Sequence, residues 1–252
     1  MIKFRDGFYA DVRTEDRSHT TISYKAGILE EMRTRVECRA FLRVYDGRMW
    51  YYASVTDLEN LQKTLDGLYD AATPNAQILD DQVVRLFERN KDTLMCFADC
   101  SVRDIPAKEK QNLLLSYLPL LSEDSCVSMP QGTYLDRNSL FHFQSSLGAD
   151  ITYDYQTCGL SFYCDMTEGE KKFSGHWQKG CTHFDELKGL DDEIRSAMTE
   201  QTAFMRNSVP VVSGRYPVVL SPEAAGVFAH ESFGHKSESD FMLSDETMRD
   251  EW

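Results

Sequence analysis

From residue 8 to residue 53 apolar and polar side chains alternate, and many of the apolar ones are aromatic or β-branched. A period of two marks strands with one covered face. Strands are expected at Phe8–Thr14, Thr20–Lys25, Ile28–Cys38 and Ala40–Val44, followed by Arg48–Ala53. Lys25-Ala26-Gly27 and Tyr45-Asp46-Gly47 are turn signals, Asp-Gly being a favoured hairpin pair. Trp50, Tyr51 and Tyr52 are expected to lie in a core strand or at an interface. Such a sheet needs a cover on its apolar face. Leu58, Leu61, Leu65 and Leu68 recur at helical spacing, which predicts a helix over Asp57–Ala72 capped by Thr56-x-x-Glu59.

A mixed, polar connector over Ala76–Thr93 separates this unit from a second one. There, Asp104 and Pro106 suit the start of a helix over Lys108–Leu118. Strands are expected at Cys126–Met129, Gly132–Asp136, Leu140–Ser145, Ala149–Gln156, Leu160–Asp165 and around Phe173–Gln178. Asp136-Arg137-Asn138, Leu147-Gly148 and Glu168-Gly169 read as turns. A long helix is expected over Asp185–Met205, capped by Thr182 or Asp185, with Leu187, Ile194, Met198 and Met205 on its apolar side. The fold class is therefore α+β. Two antiparallel-sheet-plus-helix units, 1–90 and 91–208, precede a third region, 209–252. In that region Tyr216–Leu220 reads as a strand, and Ser221-Pro222 opens a helix apolar enough to be buried. The acidic stretch Lys236–Trp252 reads as a solvated helix or frayed end.

The formal net charge of −14 argues against nucleic-acid binding, since phosphate contacts need Lys and Arg. The N-terminus MIKFRDGFYADVRTED has no apolar signal region, and no run approaches the length of a membrane span. A cytoplasmic protein with no membrane association is expected. The seven cysteines are scattered, form no C-x-x-C pair and are expected to be reduced and buried.

The chemistry concentrates in VVLSPEAAGVFAHESFGHKSESD, residues 218–240. His230, Glu231 and His235 combine two imidazoles that can hold zinc with a carboxylate that can take a proton from water. The plain alternative is an amphipathic helix with two incidental histidines. In H-E-x-x-x-H the histidines are five apart. At about 100° per residue that is roughly 140° round an α-helix, so the rings would diverge. A shared metal requires an early helix end or a π-bulge, and Gly234 offers a place for the backbone to deform.

At His230–Asp240 the string H-E-S-F-G-H-K-S-E-S-D resembles the H-E-x-x-G-H-x-x-E-x-D signature of the TldD branch of the TldD/PmbA proteins, also called modulators of DNA gyrase. Pro217–Leu220 and Glu223–Ala229 fit the same pattern. The resemblance implies a zinc metallopeptidase acting on unstructured peptides, paired with a TldE/PmbA-like homologous subunit that lacks the motif. It implies His230 and His235 as zinc ligands, Glu231 as catalytic base, and a third ligand, a cysteine, in a C-terminal, largely β, domain. No Cys or His follows His235, so the chain is expected to be an N-terminal portion, inactive alone. His142, His176 and His183, along with the cysteines, are upstream candidates for the third ligand. Glu238 and Asp240 either hold the ligand imidazoles in place or only solvate the helix. Two other readings stay open: a non-catalytic partner or scaffold subunit of a TldD/TldE-type complex, and a metallohydrolase with a non-peptide substrate.

Overall fold

The structure, a computed structural model, describes residues 2–251. One compact unit ends at Ser208 and a second begins at Val209. The first unit is built on strands β1 (Tyr9–Lys25), β2 (Ile28–Tyr45), β3 (Trp50–Val55), β4 (Lys91–Leu94), β5 (Val127–Ser145), β6 (Asp150–Glu168) and β7 (Lys171–Cys181). Its helices are α1 (Leu61–Ala71), α2 (Ala107–Tyr117) and α3 (Asp191–Asn207). The fold is α+β, as the alternation requires. All seven strands form one sheet in the order β3-β2-β1-β5-β6-β4, and β7 also pairs with β6. Every pairing is antiparallel except that of β4 with β6.

The stretches 1–90 and 91–208 share this sheet, because β1 pairs with β5 from Asp11↔Ser145 to Lys25↔Gln131. A boundary near residue 90 is therefore not a break in the sheet. The strands are also fewer and longer than the alternation suggests. Phe8–Thr14 and Thr20–Lys25 merge into β1, and Ile28–Cys38 and Ala40–Val44 into β2. Asp136-Arg137-Asn138 is not a turn but the middle of β5.

Polar residues run through these strands because they satisfy one another inside the sheet. The Glu15 carboxylate accepts from Arg17 at 2.9 Å, Arg39 at 2.7 Å, Arg137 at 2.8 Å and Ser139 at 2.8 Å. Asp136 accepts from the Thr20 backbone N–H at 3.0 Å and the Tyr134 hydroxyl at 2.8 Å. Its charge is met by Lys110 of α2 at 2.5 Å, with both side chains almost wholly buried. The Ala26-Gly27 turn joins β1 to β2, both residues having positive φ. Gly at the second of these positions avoids the Cβ clash that conformation brings.

The helices cover the sheet by apolar contact. Leu65 and Tyr69 of α1 pack with Val12, Leu42 and Val44. Leu114 of α2 and Ile194, Met198 and Met205 of α3 join Ile22, Tyr134, Leu160 and Phe162. The connector contributes Ile78 and Val84, which pack with Tyr9 and are flanked by Trp50 and Phe87. Tyr52, by contrast, is exposed.

Helix starts differ from the expected caps. Thr56 and Glu59 do not cap α1; Asp57 organises the preceding turn by accepting from the Glu59 N–H and the Asn60 amide. Asp104 lies in a 3-10 turn, and α2 begins after Pro106 without a side-chain cap. The long helix is split: a 3-10 turn over Phe184–Leu187, capped by His183 and Glu186, precedes α3, with Gly189 at φ 70° between them. Cys126, Cys158 and Cys164 are buried as expected, but Cys38, Cys96 and Cys100 are exposed.

The buried charges lead to two expected outcomes. Replacing Lys110 by Met strands the Asp136 carboxylate and is expected to cost about 3–5 kcal/mol in urea unfolding. The Lys110→Met/Asp136→Leu double variant should regain only part of it, because the Thr20 N–H and Tyr134 hydroxyl lose their acceptor. Burial pushes the Glu15 carboxyl up, but hydrogen bonds from Arg39, Ser139 and Arg137 outweigh it and hold its pKa below the ordinary value. Its contribution is thus present above the unfolded pKa of about 4.3 and lost as pH falls through the lower folded value. Unfolding free energy measured against pH should fall less steeply below about pH 4 in Glu15→Gln than in the parent.

Candidate metal centre

In the second unit, Ser221 accepts from the Ala224 N–H at 3.3 Å and Pro222 occupies the first position of helix α4 (Pro222–Ala229). The helix does not continue regularly. A π turn spans His230–Gly234, a 3-10 turn His235–Ser237, and helices α5 (Ser239–Ser244) and α6 (Glu246–Glu251) come after them. Tyr216–Leu220 is not a strand. A strand needs a neighbour for its backbone ladder, and no strand occurs among the described residues of this unit.

The π turn sets the site. The backbone N–H of His235 donates to the carbonyl of His230, five residues back. One extra residue per turn brings the two side chains to the same side, where their ring centroids lie 4.4 Å apart, edge to face at 71°. Ligand atoms of His230, Glu231 and His235 all fall within 4.8 Å of one another. Gly234 contributes less than its identity suggests. Its φ of −58° and ψ of −56° are ordinary helical values. A Cβ there would sit 3.5 Å from His230 Nδ1, an ordinary contact.

Glu238 accepts from His235 Nδ1 at 2.5 Å. With the proton held on Nδ1, the Nε2 lone pair is available to a metal ion, and Glu231 Oε2 lies 3.8 Å from it. The i,i+3 spacing of His235 and Glu238 is the signal in the sequence that could have found this contact. Asp240 does not join the group; its carboxylate accepts from the Phe241 N–H at 3.0 Å. Two imidazoles and a carboxylate this close form a donor set of the kind zinc takes, so these residues fit a metal ion.

The motif helix is not buried. Among the described residues no side chain from Val209 onward is buried. Val227, Phe228 and Phe233 each expose more than half of their surface. Its apolar composition thus has no covering element within this unit. The upstream histidines are engaged locally. His142 pairs with Asp150 at 2.7 Å, His176 packs on Tyr163, and His183 lies 3.0 Å from the Thr182 hydroxyl.

The family model described as PmbA/TldA metallopeptidase domain 1 matches residues 10–72. A metalloprotease of Methanocaldococcus jannaschii is 23% identical over 247 residues, 96% of this chain and 54% of that protein. A zinc metalloprotease TldD homolog of Saccharolobus solfataricus is 48% identical over 40 residues, 16% of this chain and 9% of that protein. Among solved structures, a candidate modulator of DNA gyrase from Bacteroides thetaiotaomicron superposes with a TM-score of 0.69 at 17% identity, covering 90% of this chain and 53% of that one. TldE from Thermococcus kodakarensis gives 0.63 at 10% identity, covering 81% and 46%. The fold is that of these solved structures, and along most of its length the chain is similar to proteins named metalloproteases. Its similarity to the TldD/PmbA family rests on that match to residues 10–72 and on these relatives. The chain spans about half the length of the curated relatives it matches along most of its own length. Among the described residues no helix is long and apolar enough to cross a membrane.

Because the backbone angles at Gly234 are ordinary and a Cβ has room there, Gly234→Ala should keep the ring contact. The check is the cross-relaxation between the His230 and His235 imidazole protons by NMR. Gly234→Pro should remove it, because the proline ring clashes with the preceding turn.

Proposed function

We propose that this chain is of the TldD branch and forms part of a zinc metallopeptidase that hydrolyses unstructured peptides in the cytoplasm, working with a TldE/PmbA-like homologous subunit. The single observation that carries the proposal is the π turn, which gathers His230, Glu231 and His235 where an α-helix would separate them. The zinc metalloprotease named among the relatives and the TldE-like fold support the same reading. The charge of −14 speaks against nucleic acid as the target.

His230 and His235 would hold the zinc, and Glu238 would fix the ring of His235 through Nδ1. A zinc ion bound there supplies Lewis-acid polarisation of a peptide carbonyl and acidifies water. Glu231 accepts the proton of the attacking water on a carboxylate oxygen and returns it to the leaving amine. Exposure of all three residues leaves room for further protein or substrate to complete the site. A catalytic zinc ordinarily takes three protein ligands, and the third is proposed to be a cysteine outside residues 1–252. Peptides would be bound as extended chain, since unfolded backbone can add to a sheet edge by main-chain hydrogen bonds.

The test uses the intact gene product, with metal content by elemental analysis and cleavage of an unfolded peptide. Glu231→Gln should retain zinc and lose about 10²–10⁴-fold in cleavage rate. His230→Ala and His235→Ala should lose the zinc. Glu238→Gln should weaken zinc binding by about 10–100-fold in chelator competition, with Asp240→Asn close to the parent. Absence of stoichiometric zinc in the parent would favour the non-catalytic partner instead. Zinc with cleavage of esters or phosphates but not peptides would mark a different hydrolase.

A further inference from the structure

Two thiols that face each other across the sheet take no part in the proposed chemistry. Cys158 of β6 and Cys181 at the end of β7 are direct partners in the antiparallel register. Residues so placed have Cα atoms about 4.5–5.5 Å apart, within the span that a disulfide bridges. Both thiols are free, and their sulfurs lie 3.4 Å apart. The adjoining rung pairs Gly159 with Gly180. A Cβ on Gly159 would stand 2.8 Å from the Lys179 carbonyl oxygen. The two backbones therefore approach closely beside the cysteines, with no side chain on the neighbouring rung to hold them apart. Cys158 is buried, whereas Cys181 is partly exposed.

We propose that Cys158 and Cys181 form a reversible dithiol–disulfide site whose oxidant is a low-molecular-weight disulfide. The more accessible Cys181 reacts first as thiolate. Its sulfur bonds to one sulfur of the small disulfide, the S–S bond of that reagent breaks, and the departing thiolate takes up the Cys181 proton. The Cys158 thiolate then attacks Cys181 Sγ. The Cys158–Cys181 bond forms, the mixed disulfide breaks, and the second small thiolate leaves with the Cys158 proton. Two protein thiols are oxidised and one small disulfide is reduced to two thiols. The bond ties β6 to β7 just before the chain turns through Thr182 and His183 toward α3. Burial pushes both thiols above the ordinary range, so exchange is slow near neutrality and accelerates as pH rises.

The experiment incubates the reduced protein with oxidised glutathione, quenches in acid and maps the peptides without reductant. It is run on the parent and on a Cys38→Ser/Cys96→Ser/Cys100→Ser variant that removes the exposed thiols. The expected product has lost about 2 Da and contains one joined peptide pair, through Cys158 and Cys181. Its formation rate rises about tenfold per pH unit between pH 7 and 8. Its unfolding midpoint lies several degrees above that of the reduced form. Adding Cys158→Ser should stop the reaction at a glutathione adduct on Cys181. The proposal is overturned if the folded parent keeps a lasting adduct on Cys181, if Cys181 joins any other cysteine, or if the folded chain stays reduced while the urea-unfolded chain is oxidised.

Discussion

The ladder between β1 and β5 is the constraint on which the first 208 residues depend. Among the described residues it is the one strand pairing that ties the β3-β2-β1 side of the sheet to the β5-β6 side. A slip of one residue would turn every side chain of β1 to the opposite face. Apolar alternation resists that slip only where apolar side chains are buried, and the middle of β1 is polar from Glu15 to His19. There the register is held by charge. Glu15 reaches across to Arg137 and Ser139, and Asp136 accepts from the backbone of Thr20. Any other register leaves a buried carboxylate without its donors, and such a group costs far more than a displaced methyl.

The same charges explain why the strands were only half legible. Polar runs ordinarily signal turns, so reading Asp136-Arg137-Asn138 as one is sound for an isolated stretch. What the chain alone does not display is that partners for these groups arrive from residues more than a hundred positions away. The helices were easier to read because their apolar repeats are local. Leu65, Leu114 and Ile194 sit in the core as their spacing requires. β4 was missed for the opposite reason. Its four residues are all exposed and show no period, and only the parallel pairing with β6 makes them a strand.

The second unit shows how far apolar composition can mislead. Ala224 to Ala229 has the residues of a buried helix, yet none of them is buried. Burial is a property of a helix together with its cover, and nothing among residues 209–251 covers this one. The histidines of the motif are accordingly open to solvent, and the partner of His235 is a neighbour in sequence, Glu238, rather than a group from a core.

The spacing of five and the π turn are one constraint seen twice. A helix that kept its regular screw would point the two imidazoles apart by roughly 140°, and a spacing of four would have avoided the conflict without any irregularity. The chain instead uses one residue to widen the turn, so that the amide of the second histidine bonds to the carbonyl of the first. The backbone hydrogen bond and the ring contact then fall between the same two residues. Gly234 was the natural suspect for this departure, but its backbone angles are those of any helical residue. Side-chain hydrogen bonds accompany the widening further along the chain: Ser237 donates to the Phe233 carbonyl and Glu238 holds His235. Ser237 and Glu238, on the C-terminal side of the second histidine, thus make side-chain contacts to this turn, whereas the glycine that precedes it has an ordinary helical backbone.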